Sequence, residues 1–260
     1  QTRDLNAYTI GVGGADTSNF GSLLSAGGFI STTSYLGEEF NKTRTALSVD
    51  TTGAGTTGMG DAGGWGTYEL ATGDCEFANT ADIISGVVRL TANAAGDGCM
   101  IMMDDAINNA RLILDADNLP VMQFKIQPSQ ADTNSAIYIG MANSTDALAT
   151  APTEFIGFSN DNAGTLGATW VGITRTSSTS TTVVCTGQTI STTQRALLRV
   201  EVRSATEVRF FVDNDGSNGI SLVECGTGAN GSTTNIPTAA LAPEIHWQER
   251  SGGATSNLSV

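Results

Sequence analysis

A two-residue alternation of apolar and polar side chains over residues 195–213 constrains the fold more than any other feature of the sequence. Its two arms, residues 195–203 and 207–213, each place apolar side chains on one face and mostly charged side chains on the other. The apolar positions are Ala196, Leu198, Val200, Val202, Val208, Phe210 and Val212. Because side chains of a β-strand point alternately to its two faces, this pattern predicts a half-buried β-hairpin.

Short β-prone runs separated by turn residues surround that hairpin. They begin at Trp65 and recur about every 8 to 12 residues, a spacing typical of β-sandwiches. The chain contains 31 glycines and many threonines and serines, which favour turns and strands over long helices. Hydrophobic residues make up 40% of the 260 residues, enough for a substantial core. We therefore expect an all-β sandwich domain over residues 63–260.

Residues 1–62 have a different character. They are rich in glycine, serine and threonine without a clear period, and they include one candidate short helix at residues 36–47. Such a composition is typical of linkers. We interpret this segment as an irregular N-terminal arm whose structure depends on assembly.

The charge balance excludes several kinds of partner. The formal net charge is −14, and Lys42 and Lys125 are the only lysines. Nucleic-acid binding depends on clustered lysine and arginine, so we expect no nucleic-acid partner. No apolar stretch is long enough to insert into a membrane, and no signal-peptide pattern opens the chain. Since Gln1 stands where a start methionine would be, we expect a processed or excised piece of a longer protein.

Four cysteines indicate the compartment. No two of them are closely spaced, and the sequence has a single histidine, which argues against structural zinc. Of the three possible pairings we predict the local one, Cys75 with Cys99 and Cys185 with Cys225. Four buried free thiols are the alternative. Because disulfides persist in oxidising surroundings, this pairing predicts an extracellular location.

Three segments resemble the concanavalin A-like (laminin-G-like) jelly-roll superfamily. They are Val-Met-Gln-Phe-Lys-Ile at 121–126, Ala-Ile-Tyr-Ile-Gly-Met-Ala at 136–142, and the hairpin at 198–213. The resemblance covers about residues 65–260. It implies a two-sheet antiparallel jelly-roll sandwich, here preceded by the irregular N-terminal arm.

A lead-in sequence carries a second resemblance. Residues 35–41 (Tyr-Leu-Gly-Glu-Glu-Phe-Asn) and 64–69 (Gly-Trp-Gly-Thr-Tyr-Glu) are similar to the lead-in of jelly-roll modules in surface fibres of Patescibacteria-like bacteria and in phage fibre or capsid-decoration proteins. This resemblance implies a structural or adhesive module of a cell-surface fibre, with self-association or a neighbouring fibre subunit as its partner. A virion surface is the alternative location.

Modules of that kind end with a strand that pairs with the first strand. This sequence stops at Val260, within the expected strand. We therefore expect either a truncated strand or a sheet edge that a neighbouring chain completes by strand addition.

One segment has a catalytic character. Residues 244–249 (Glu-Ile-His-Trp-Gln-Glu) resemble the signature of jelly-roll glycoside hydrolases, in which two carboxylates act across the glycosidic bond. Alternation places Glu244, His246 and Gln248 on one face, so Glu249 needs a β-bulge to join Glu244. His246 also stands where that signature has an acid. We predict no catalytic residues, with a hydrolase using Glu244 and Glu249 as the alternative.

Two acidic loops are candidate ligand sites. Asp213, Asp215 and Ser217 stand at alternate positions, as the ligands of calcium loops do, although the same sequence is a common turn former. A similar loop contains Asn160, Asp161 and Asn162. We expect no cofactor, with calcium at such a loop as the exception.

Trp170 and Trp247 are candidate glycan-binding residues. Aromatic rings stack on the apolar faces of sugars, but they also pack in protein cores, which is the alternative. Together these features predict a non-catalytic extracellular fibre or adhesin module with surface glycans as its ligands.

Overall fold

The computed structural model describes residues 57–58, 65–70, 89–103, 114, 119–129, 135–143, 152–161, 169–214, 221–226, 231–249 and 256–260. Within these ranges the protein forms two antiparallel sheets and contains no helix. The predicted two-sheet antiparallel jelly-roll sandwich is thus confirmed. No helix in the described part of the chain has the length and apolar character needed to cross a membrane.

The chain divides into two units, Gln1–Phe40 and Asn41–Val260, and every described residue belongs to the second unit. The candidate helix at residues 36–47 lies outside the described residues, as does most of the segment interpreted as an arm.

Eight strands form the larger sheet. Their order across the sheet is β1 (Thr57–Gly58), β2 (Trp65–Leu70), β4 (Gly98–Met103), β13 (Ala242–Glu249), β6 (Ser135–Ala142), β7 (Phe155–Asp161), β8 (Thr169–Thr176) and β9 (Thr179–Thr189). Because β1 pairs with β2, the sheet already includes two residues of the predicted arm.

Six strands form the smaller sheet. Their order is β12 (Val223–Glu224), β11 (Glu207–Asp213), β10 (Ala196–Ser204), β5 (Val121–Pro128), β14 (Ser256–Ser259) and β3 (Arg89–Ala92). The strands β10 and β11 are the predicted hairpin, with Val200 opposite Phe210. All seven of its predicted apolar core positions are buried, so this prediction is confirmed.

The strand β14 lies at the C-terminal position where a truncated or partner-completed strand was expected. It pairs with β3 on one side and with β5 on the other. Its Leu258 is fully buried. Since β14 has neighbours of its own chain on both sides, no strand from another chain is needed at this position.

Aromatic side chains fill the space between the two sheets. The ring of Phe158 on the larger sheet lies edge-on to Phe210 of the smaller sheet, with ring centroids 5.5 Å apart. Trp170 packs edge-on against Phe158 at 6.5 Å. Such T-shaped contacts suit the opposed polarity of ring edge and ring face. We call this side of the larger sheet its core face and the opposite side its outer face.

At Gly172 on β8 the two sheets are in close contact. A Cβ atom at this position would lie 2.3 Å from Cγ of Phe210. We expect Gly172→Ala to lower the free energy of unfolding by about 1–3 kcal/mol, the usual range for overpacking a core. Denaturant unfolding of the wild type and the variant measures the difference.

A second substitution tests the cause of that loss. Phe210→Leu makes room for the added methyl group, so the double variant should lose less stability than the two single variants together. Strictly additive losses would show that the alanine acts through something other than the Phe210 ring.

Ion pairs cover the outer face of the smaller sheet. Glu201 on β10 lies between Arg199 and Arg203 and pairs with both. Glu207 pairs with Arg209 at 2.6 Å. Partly exposed pairs of this kind contribute about 0–1 kcal/mol each. The charges on this face are therefore matched within the chain.

A disulfide between Cys185 and Cys225 joins β9 to the residue that follows β12, as predicted. It links the two sheets at one side of the sandwich. Cys99 is also disulfide-bonded, while its predicted partner Cys75 lies outside the described residues. The bonded state of the described cysteines fits an oxidising compartment.

Candidate functional site

The strand β13 determines which side chains reach the outer face of the larger sheet. Its pairing with β4 and with β6 runs without a register shift. Alternation therefore places Glu244, His246 and Gln248 on the outer face, and Trp247 and Glu249 on the core face. All five side chains are buried.

Neighbouring strands add two polar residues beside His246. The register puts Tyr138 of β6 directly opposite His246, and Ser159 of β7 directly opposite Tyr138. The rings of Tyr138 and His246 have centroids 5.7 Å apart. We call these five residues the outer-face cluster: Glu244, His246, Gln248, Tyr138 and Ser159.

An apolar cluster surrounds these polar groups. Its members are Met100, Ala136, Ala142, Phe155, Val171, Ile173 and Ala242, together with Tyr138. Phe155 meets Tyr138 edge-on at 5.6 Å. The larger sheet is thus buried on both faces, and its polar groups lie in low-dielectric surroundings.

Two glycines lie side by side on the outer face, and the ring of Phe155 covers one of them: a Cβ atom at Gly157 would lie 2.7 Å from its Cζ atom. Gly140 lies opposite Glu244, and Gly157 lies opposite Gly140. The next residue in this row is Ile173. We call Gly140 and Gly157 the glycine strip. Since neighbouring strands are about 4.8 Å apart, the strip separates Glu244 from Ile173 by three spacings, or about 14 Å.

Glu244 is the most unusual member of the outer-face cluster. It is 0% exposed, and neither carboxylate oxygen has a hydrogen-bond partner. Its Oε1 lies 4.0 Å from Nδ1 of His246, beyond hydrogen-bond distance. Burial raises the pKa of Glu244 to about 8, because the charged form loses its hydration. The carboxyl group is therefore mostly uncharged at neutral pH.

Other buried polar atoms of the cluster also lack hydrogen-bond partners, among them Oε1 of Gln248 and Oγ of Ser159. Leaving a buried polar group unsatisfied costs about 1–3 kcal/mol. Proteins keep such groups where a ligand or an ordered water meets them, and perturbed carboxyl groups concentrate at functional sites. The outer-face cluster has the character of a binding site.

The structure does not bring the predicted catalytic pair together. Glu244 faces outward and Glu249 faces the core, because the register of β13 contains no bulge. Glycosidases place their two carboxyl groups on the two sides of one bond, about 5–10 Å apart across an open cleft. The sheet itself separates these two carboxylates.

Both tryptophans predicted as a glycan platform lie in the core. Trp170 and Trp247 are 0% exposed. Trp170 contacts Phe158 on the core face, and Trp247 alternates with outward-facing His246. Neither indole offers a face to a ligand, so this placement fits the packing alternative.

The acidic-loop residues are also placed away from the cluster. Asn160 is buried on the core face, where neither side-chain amide atom has a hydrogen-bond partner. Asp161 ends β7, and Asn162 lies outside the described residues.

Asp213 is buried at the end of β11, whereas Asp215 and Ser217 lie outside the described residues. Among the residues that the structure describes, no three His, Cys, Asp or Glu side chains are grouped to hold a metal ion.

Tyr138 and Ser159 were missed as site residues from the sequence. Tyr138 lies within a nearly continuous apolar run in β6, and that is the signal which could have found it. Ser159 is followed in β7 by Asn160 and Asp161, so no such signal marks it. The alternation of Glu244, His246 and Gln248 was recognised, but not the fact that this face is buried.

Comparisons with known proteins found solved structures of low similarity to this chain. No family model matches the chain, and no curated protein sequence matches it. A protein of unknown function from Shewanella oneidensis MR-1 has a TM-score of 0.47 and 12% identity, covering 75% of this chain and 77% of the other. The carbohydrate recognition domain of Emp47p has a TM-score of 0.47 and 15% identity, covering 75% and 85%.

Two further similar structures are longer than the matched region. A xylan β-1,4-xylosidase from Bacillus halodurans C-125 has a TM-score of 0.45 and 8% identity, covering 75% of this chain but only 35% of the enzyme. The binding domain of botulinum neurotoxin DC, in complex with rat synaptotagmin II, has a TM-score of 0.42 and 7% identity, and 41% of it is covered. Likeness at these values identifies neither a family nor a ligand. What the strand topology defines is a two-sheet antiparallel jelly-roll sandwich.

Proposed function

We propose that this chain is a non-catalytic, extracellular glycan-binding module that is displayed on a cell-surface fibre or filament. The observation that carries the proposal is the outer-face cluster, in which Glu244, Gln248 and Ser159 hold buried polar atoms without partners. Binding sites for small molecules combine apolar walls with a few convergent polar groups, and this face has both.

Sugars match the chemistry of this cluster. Their hydroxyl groups donate and accept hydrogen bonds, as the unpartnered oxygens require. Their apolar ring faces pack against aromatic side chains such as Tyr138.

Burial of the cluster has a consequence for binding. Tyr138 is 3% exposed and His246 is 2% exposed. A ligand can reach these side chains only through a local rearrangement of the protein. We therefore expect association slower than the usual range of about 10⁵–10⁷ per molar per second.

The non-catalytic part of the proposal rests on the separation of Glu244 and Glu249. With the two carboxyl groups on opposite sides of β13, Glu244 and Glu249 are not arranged as the acid pair of a glycosidase. The extracellular part rests on the Cys185–Cys225 disulfide. Display on a fibre, and self-association with a neighbouring subunit, stay predictions from the sequence.

A glycan array followed by calorimetry tests the proposal. We expect the wild type to bind an oligosaccharide, and Gln248→Leu to weaken that binding about tenfold, because one hydrogen bond is lost. The matched control is Gln123→Leu on the exposed face of β5, which should bind like the wild type.

Three results would contradict the proposal. They are the absence of binding to any glycan, an affinity that Gln248→Leu leaves unchanged, and the release of shorter sugars from the bound oligosaccharide. The last of these would restore the hydrolase alternative.

A further inference from the structure

We infer that residues 7–12 of one copy of this chain add as a strand to β5 of a second copy, so that the copies link head to tail. This inference rests on the fibre part of the proposed function and deepens it by naming the partner and the surface. It does not depend on glycan binding.

The strand β5 has unequal neighbours on its two sides in the described part of the chain. On one side, β10 pairs with Val121–Ile126. On the other side, β14 pairs with Gln127 and Pro128 alone and then ends. A slot one strand wide therefore begins where β14 ends, beside Val121–Ile126.

The side chains of β5 are exposed beside this slot, although the strand lies inside the sheet. Met122 and Phe124 face the core, as their pairing with core positions of β10 shows. Those partners, Val200 and Leu198, are 0% exposed. Met122 and Phe124 are only half-buried, and Val121 is 56% exposed. The cover that these side chains lack is that of one further strand.

The backbone of β5 presents hydrogen-bonding groups to the slot. The N–H of Val202 on β10 donates to the C=O of Pro120 at 3.0 Å, so the backbone of Pro120 points towards β10. Because this direction alternates along a strand, Val121, Gln123 and Lys125 point their N–H and C=O groups away from β10. Such an edge is a template for an added strand, which gains affinity from main-chain hydrogen bonds.

Residues 7–12 have the pattern that an added strand needs. In this run of Ala-Tyr-Thr-Ile-Gly-Val, the large side chains of Tyr8, Ile10 and Val12 stand at alternate positions and so share one face of a strand. Residues 5–14 include no Asp, Glu, Lys or Arg. The segment therefore adds no charge repulsion to the approach of two chains that each carry −14.

Antiparallel pairing, which every strand of the smaller sheet already uses, gives the expected register. Ile10 then lies opposite Phe124, and Val12 lies opposite Met122. Both cover the half-buried core positions of β5. The backbone of Gly11 pairs with the slot-facing groups of the residue between those two positions.

The segment and the slot lie in different parts of the chain. Residues 13–56 separate the segment from β1, which is enough chain to reach a neighbouring molecule. Each copy offers one segment and one slot, so the contact is heterologous, and its repetition builds a filament or a ring. Growth of this kind is what a fibre module requires.

Light scattering of the full chain during size-exclusion chromatography measures the association between about 1 µM and about 0.5 mM protein. We expect oligomers whose mass rises with concentration. Ile10→Asp should weaken the association at least about tenfold, because its carboxylate would lie unpaired against the core. Thr9→Asp is the matched control, since it places the same charge on the outward face of the segment and should associate like the wild type.

A second pair of variants tests the slot. Gln123→Pro removes an N–H that faces the slot and leaves the hydrogen bonds with β10 in place. It should weaken the association as much as Ile10→Asp does, whereas Gln123→Leu should not, and urea unfolding checks that both variants are folded. A synthetic peptide of residues 7–13, added in excess to the wild type, should convert the oligomers to monomers.

Three results would overturn the inference. They are a wild type that stays monomeric at the highest concentration, oligomers that persist in both Ile10→Asp and Gln123→Pro, and a monomer that loses stability in Ile10→Asp but not in Thr9→Asp. The last would mean that the segment fills the slot of its own chain. Glycan binding by these variants is expected to equal that of the wild type, so failure of the assembly and failure of the glycan-binding function are measured separately.

Discussion

Replacing Glu244 by glutamine is expected to remove a pH-dependent loss of stability of several kilocalories per mole. The folded pKa of Glu244 is raised from 4.5 to about 8 by burial. The folded state holds this proton more tightly than the unfolded state does. The bound proton therefore stabilises the folded state, and this stabilisation is fully present below pH 4.5. It declines as the pH rises and is lost once the pH passes about 8.

The size of the effect follows from the width of that window. Each pKa unit corresponds to about 1.4 kcal/mol, so the whole window amounts to about 5 kcal/mol. Glutamine has no proton to lose. The stability of Glu244→Gln relative to the wild type should therefore increase by up to about 4 kcal/mol between pH 5 and pH 8.

Urea unfolding at pH 5, 6, 7 and 8 measures this difference. Comparison of variant with wild type at each pH cancels the titration of the other carboxyl groups. Glu207→Gln serves as the control, since this partly exposed group pairs with Arg209 on the surface and should change stability by about 1 kcal/mol or less at every pH. A difference between Glu244→Gln and wild type that does not change with pH would show that Glu244 is ionised and partnered in the folded protein.

Removal of the Cys185–Cys225 disulfide is expected to lower the free energy of unfolding by about 4 kcal/mol. The cysteines are 40 positions apart in sequence. In the chain-entropy description, opening a loop of that length raises the conformational entropy of the unfolded chain, and this entropy corresponds to about 4 kcal/mol. Both cysteines are about 1% exposed, so alanine at both positions avoids a buried unpaired thiol.

Denaturant unfolding of the double variant Cys185→Ala/Cys225→Ala measures this loss. Mutation is preferable to chemical reduction because Cys99 is also disulfide-bonded and would be reduced at the same time. The double variant Cys185→Ser/Cys225→Ser opens the same loop with a different side chain and is the control for the side-chain change. A loss below about 1 kcal/mol in the double variant would mean that contacts between the sheets already hold the ends of this loop together in the unfolded ensemble.

The sequence predicted those parts of the fold that depend only on local residue patterns. The hairpin of β10 and β11 was predicted with its faces, because alternating apolar and charged residues determine both the period and the buried side. Residues 135–142 were predicted with the bounds of β6, since a nearly continuous apolar run can only be a strand buried on both faces.

The candidate site was harder to predict because it depends on contacts that are distant in sequence. Alternation showed that Glu244 and Trp247 face opposite ways, but not which face of β13 meets the smaller sheet. That choice decides whether an indole is a ligand platform or part of the core. The position of Ser159 beside Tyr138 depends on the register between β6 and β7, which no local pattern specifies.

The position of β14 also determines the order in which this protein can fold. It begins at residue 256, yet it fills the gap between β3 and β5, which end at residues 92 and 128. During synthesis these two strands leave the ribosome long before the strand that separates them. Until β14 arrives, each exposes an edge that can pair with other chains, and closing the smaller sheet requires contacts across a long loop. We expect folding to be slow, with the risk of aggregation highest in the period before the last strand is made.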